Sequence, residues 1–134
     1  MKIPLSYPSI DQKDIERVRS VLESGQLVQG RYVQSLENAI SSLIGVKHAV
    51  AVSNGTATLH LALLSLGIGQ GDEVVVPAFS FIATANVVEL VGAKPVFVDI
   101  SPDSFNIDPD RIEAAITPHT KAIMPVHEFG YPAE

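Results

Sequence analysis

The feature that most constrains the fold is a change of pattern near residue 46. From there on, short, continuous, β-branched runs alternate with helical segments. His48-Ala49-Val50-Ala51-Val52, Glu73-Val74-Val75-Val76-Pro77, Pro95-Val96-Phe97-Val98-Asp99 and Lys121–Val126 read as four strands. Between them lie helical stretches over Thr56–Leu66, Ile82–Val91 and Asp108–Ile116. The last has Asp at the cap and Pro at the first helical position, a good start signal. Runs that are apolar throughout, rather than alternating, belong to strands buried on both faces and joined by helical crossovers. The order β-α-β-α-β-α-β therefore predicts an α/β fold with a mostly parallel sheet.

The first 45 residues follow a different rule. Asp11 caps a helix reaching Ser24, with Ile15, Val18, Val21 and Leu22 at helical spacing and Gly25 as the stop. Gly30 opens a second helix whose apolar positions run from Tyr32 to Ile44, and Gly45 ends it. We read 1–45 as a helical lead-in and 46–134 as the α/β part.

Composition excludes several classes. With 9 Lys+Arg against 15 Asp+Glu the net charge is −6, which argues against nucleic acid and against an anionic membrane surface as partners. No apolar run is long enough to span a bilayer, and the first residues lack the apolar stretch of a secretion signal, so the expected location is the cytoplasm. There is no cysteine, and the four His show no ligand spacing such as His-Glu-x-x-His, so no metal site is expected. Asp99 and Asp103 read as a strand-end cap and a turn residue rather than an acid/base pair. His60 reads as a packed helix residue, and Gly67–Asp72 as a turn.

The chemistry concentrates in Ser53-Asn54-Gly55-Thr56-Ala57-Thr58-Leu59, where a strand hands over to a helix. Gly55 lets the backbone turn and a ligand approach, and the Thr56 and Ala57 amides are first-turn donors with no intrahelical partner. A helix N-terminus at the carboxyl end of a parallel strand suits a phosphate. The other reading is that Asn54 or Ser53 simply caps the helix. Neither a P-loop nor a dinucleotide fingerprint is present. On the same sheet edge, Pro77-Ala78-Phe79-Ser80-Phe81 follows the second strand. An aromatic there can stack on a planar ring, although spacing alone favours Phe79 and Phe81 as core.

Further motifs join these in order: Gly67-Ile68-Gly69-Gln70-Gly71-Asp72-Glu73-Val74, Gly92-Ala93-Lys94-Pro95-Val96-Phe97-Val98-Asp99, Asn106-Ile107-Asp108, Ile116-Thr117-Pro118-His119-Thr120-Lys121-Ala122-Ile123, and Pro125-Val126-His127-Glu128-Phe129-Gly130. Over essentially its whole length the chain resembles the amino-terminal part of the DegT/DnrJ-type sugar aminotransferases. These are pyridoxal 5'-phosphate (PLP) enzymes of the aspartate aminotransferase fold. The resemblance implies that Gly55, Thr56 and Ala57 hold the PLP phosphate and that Phe81 stacks on the pyridine ring. It implies a homodimer that moves an amino group from a donor such as glutamate to a nucleotide-linked keto-sugar. Ser24–Gly30 lies near the substrate in such enzymes, and His127 sits on the ligand edge, where it either approaches the sugar or makes a structural hydrogen bond.

The resemblance also places the Schiff-base Lys and the Asp that pairs with the ring nitrogen beyond the segment matching Gly130–Glu134. Lys2, Lys13, Lys47, Lys94 and Lys121 do not stand in the family's lysine context, so no catalytic residue is assigned. The expectation is a large domain that is incomplete, inactive alone, and prone to associate because strand edges stay open. Two alternatives remain: a noncatalytic chain that self-associates or pairs with a full-length relative, and part of a PLP-fold sugar dehydratase.

Overall fold

The computed structural model describes residue 4 and residues 6–134. The chain divides into two compact units, Met1–Ala51 and Val52–Glu134. Among the described residues are five α-helices and one three-stranded sheet. None of the helices is long and apolar enough to cross a membrane.

The first unit holds α1 (Gln12–Ser24) and α2 (Arg31–Ile44). The Asp11 side chain accepts from the Asp14 amide at 2.9 Å and the Asp14 carboxylate accepts from the Asp11 amide at 3.1 Å, a reciprocal cap. Gly25 and Gly45 end the two helices with φ of 70° and 76°, the left-handed region that glycine enters without strain. Neither helix buries a residue, so the apolar stripes read from the sequence lie open.

The expected strand at His48–Val52 is not a strand. Among the described residues the segment pairs with no neighbour, and its Ala51 amide donates instead to the Glu37 carboxylate at 2.9 Å. A β-branched run is competent for a sheet, but a strand exists only where another backbone completes its ladder.

The second unit runs α3 (Gly55–Ser65), β1 (Glu73–Pro77), α4 (Ala83–Leu90), β2 (Lys94–Val98), α5 (Pro109–Ala115) and β3 (Thr120–Ile123). All pairing within the sheet is parallel, with order β2-β1-β3. The fourth expected strand stops at Ile123, three residues early, although the Met124 amide still bonds the Val75 carbonyl at 2.8 Å. β1 is central and buried on both faces, as its unbroken valine run requires. Val74 and Val76 pack with Leu63, Ile68, Val87 and Val88 under α3 and α4, while Val75 packs with Val98 and Ile107 on the α5 side. The period of two along a strand thus sorts three adjacent valines into two cores. Burying each contributes about 1.5–3 kcal/mol.

At the amino edge of the sheet, Glu73 is held by two neighbours. Lys94 Nζ donates to one carboxylate oxygen at 2.9 Å and Thr117 Oγ1 to the other at 2.6 Å. These bonds, that of Thr117 foremost, hold its carboxyl below the ordinary 4.5. A carboxyl lowered in the folded state stabilises the fold above its unfolded value and loses that contribution as pH falls through the folded one. The thermal midpoint should therefore drop as pH falls below about 4.5, and Glu73→Gln should flatten that part of the profile; a variant as acid-sensitive as the parent would count against it.

Candidate functional site

α3 leads into β1 through the short turn at Gly67–Asp72, so the two run in opposite directions. Eleven helical residues and five strand residues both span about 16 Å, which brings the start of α3 level with the carboxyl end of β1. The segment Ala78–Ile82 leaves β1 at that same edge and enters α4, which packs beside α3. The topology therefore sets Gly55, Thr56, Ala57 and Phe81 on one edge of the sheet.

The start of α3 is capped. Asn54 is its N-cap, and its side-chain oxygen accepts from the Ala57 amide at 2.9 Å. The Asn54 carbonyl takes the Thr58 amide at 3.2 Å. Among the described residues, no protein acceptor bonds the Gly55 and Thr56 amides. The capping reading and the anion-cup reading thus divide the turn between them: two donors are free, and the third is occupied by a neutral side chain. Gly55 is not in the left-handed region, so the backbone turn does not require glycine there. A Cβ built on it would meet nothing within 4 Å, so the space beside this backbone is open.

Phe81 is 74% exposed, so spacing misled where it favoured core for this residue. Its carbonyl accepts from the Thr84 amide at 3.0 Å, tying it to the first turn of α4. Phe79, two residues earlier, is 46% exposed, so it too is not the core residue that spacing favoured; its ring meets those of Phe105 and Phe129. His127 makes a structural bond: its Nδ1 accepts from the Ala133 amide at 3.0 Å. Asp99 lies 3.5 Å from Arg111, and Asp103 sits in the turn at 102–104. No group of His, Cys, Asp or Glu among the described residues could hold a metal ion.

The lysines stand away from this edge or in the other unit. Lys94 begins β2 at the amino edge, where it pairs with Glu73, and Lys121 lies near the start of β3. Lys13 and Lys47 belong to the first unit, and Lys2 lies outside the described residues. Sequence reasoning missed the cluster of Phe79, Phe105 and Phe129 and the buried Asn106 behind it; no periodicity links residues so far apart.

The sequence profile of the DegT/DnrJ/EryC1/StrS aminotransferase family matches residues 8–134. Among solved structures, Spr1654 from Streptococcus pneumoniae, a candidate sugar aminotransferase in its PMP form, is 40% identical over 100% of this chain and 34% of its own, with TM-score 0.91. A 3-amino-5-hydroxybenzoic acid synthase is 41% identical over 99% of this chain and 35% of its own, with TM-score 0.88. NtdA from Bacillus subtilis with bound cofactor PMP is 42% identical over 90% of this chain and 29% of its own, with TM-score 0.84. The chain spans about a third of the length of these relatives.

Proposed function

Because the chain belongs to the DegT/DnrJ/EryC1/StrS aminotransferase family, matching an amino-terminal portion of its solved members, we propose that it forms part of the cofactor site of a PLP-dependent aminotransferase. The observation that carries this reading is the pair of amides at Gly55 and Thr56 that no protein acceptor bonds among the described residues, beside an open Cβ position at Gly55 and on the edge that also bears exposed Phe81. Two convergent N–H groups at a helix start suit a phosphate dianion. The exposed ring of Phe81 on the same edge would suit stacking on a pyridine ring. Ala57 joins the cup if its amide exchanges Asn54 for a phosphate oxygen.

PLP, when bound, supplies an electron sink for moving an amino group between carbons. This chain's residues supply binding and orientation: the amides donate to the phosphate oxygens, and Phe81 holds the ring plane. The reaction is aminotransfer from a donor such as glutamate to a nucleotide-linked keto-sugar, carried out by a cytoplasmic homodimer. Kinship supports the amino transfer more firmly than the acceptor, since one similar enzyme is named for an aromatic amino acid. The placement of Lys94 and Lys121 supports a chain that binds but does not react on its own.

The test is PLP titration of the chain, followed by borohydride reduction and intact mass. We expect saturable, noncovalent binding and no single specific adduct. A stoichiometric adduct would mean that a lysine here reaches the cofactor, and the absence of any binding would defeat the cup.

A further inference from the structure

Behind the site lies a buried polar side chain that the proposed chemistry does not use. Asn106 is 3% exposed, in the loop between β2 and α5. Its amide nitrogen donates to the Tyr131 carbonyl at 2.9 Å and its amide oxygen accepts from the Glu128 amide at 2.8 Å. It therefore stitches the loop after β2 to the loop after β3. Its own carbonyl closes the first loop by accepting from the Ser101 amide at 2.9 Å.

The stitch sits between two phenylalanines in unusual backbone. Phe105 has φ of 60° and Phe129 of 52°, a region bulky residues rarely occupy unless their surroundings hold them there. Both rings meet Phe79, with centroids 5.8 Å and 6.4 Å away, and lie 6.2 Å from each other. Loops after all three strands thus converge on one aromatic cluster at the carboxyl edge. Phe79 is the member carried by the segment that presents Phe81.

We infer that Asn106 is a positioning residue: by tying Glu128 and Tyr131 to the loop after β2 it locks Phe105 and Phe129 around Phe79, and through Phe79 it sets the direction of Phe81. The chemistry explains the residue type. One amide group donates and accepts at once, as the two backbone groups demand. Aspartate at neutral pH only accepts and loses the bond to the Tyr131 carbonyl, and leucine loses both bonds. Phe81 follows Phe79 by two residues, and its carbonyl accepts from the Thr84 amide in the first turn of α4. The claim that this orientation serves a cofactor ring rests on the function proposed above; the mechanical link does not.

The experiment incorporates 4-fluorophenylalanine into the full chain and compares, without ligand, the five fluorine resonances of the parent with the five of Asn106→Asp and the remaining four of Phe79→Leu. In Asn106→Asp we expect the Phe79, Phe105, Phe129 and Phe81 signals to shift or split together, while Phe97 on β2 stays in place. In Phe79→Leu the Asn106 bonds remain, and the Phe81 signal should still move; this variant decides the matter if Asn106→Asp does not fold. An unmoved Phe81 signal in the folded variants overturns the inference. Where the parent binds PLP, Asn106→Asp should weaken that binding at least threefold. A parent that binds no PLP refutes the cofactor reading alone, and the fluorine result still decides the link.

Discussion

Gly55→Asp should weaken PLP binding roughly 10- to 100-fold while leaving the fold intact. The backbone at Gly55 is not left-handed and a Cβ there meets nothing within 4 Å, so a side chain can be added without backbone strain. A carboxylate in the first turn of a helix is favourable to the helix itself. The thermal midpoint should therefore hold or rise slightly. The same carboxylate lies beside the Gly55 and Thr56 amides, where the cofactor's phosphate would be. Two like charges about 4 Å apart repel by about 4 kcal/mol at an effective dielectric near 20, less once solvent screens them, and each 1.4 kcal/mol is tenfold in affinity. Gly55→Ala adds the methyl without the charge and should cost less. Equal PLP affinity in parent and Gly55→Asp, measured by titration at fixed ionic strength, would remove the phosphate from this turn.

That prediction turns on features legible in the sequence to different degrees. The helix start was visible in Ser53–Leu59 because a glycine and a threonine follow a cap residue. Whether the cap or a ligand takes the amides was not, since both use the same donors; the structure gives Ala57 to Asn54 and leaves two free. β1 was legible to the residue, because a valine run between a Gly-Asp turn and a proline has few other solutions. His48–Val52 has similar composition and is unpaired, since a strand depends on a partner that no local pattern reveals. Phe79, Phe105 and Phe129 lie tens of residues apart and meet only because parallel strands deliver their following loops to one edge. The edge could be read from the β-α alternation, but the convergence of those three loops could not.

Val76→Asp should abolish cooperative folding of the second unit. Val76 is fully buried on β1, the central strand, packed among Leu63, Val87 and Val88. Val76→Ala removes apolar contact and leaves a small cavity, a loss of about 2 kcal/mol. An aspartate adds to that loss a carboxylate with no partner, and burying an unpaired charge belongs to the short list of changes that exceed about 4 kcal/mol. A domain whose whole stability is about 5–15 kcal/mol, with small ones at the low end, does not absorb that change. The control is its register partner on β2: Phe97 is 58% exposed, so Phe97→Asp places the same carboxylate in water and should shift stability by about 0.5 kcal/mol. Urea titration followed by far-ultraviolet circular dichroism separates the two. A Val76→Asp midpoint within experimental error of Phe97→Asp would mean that the face beneath α3 and α4 is not the core on which the site's edge is built.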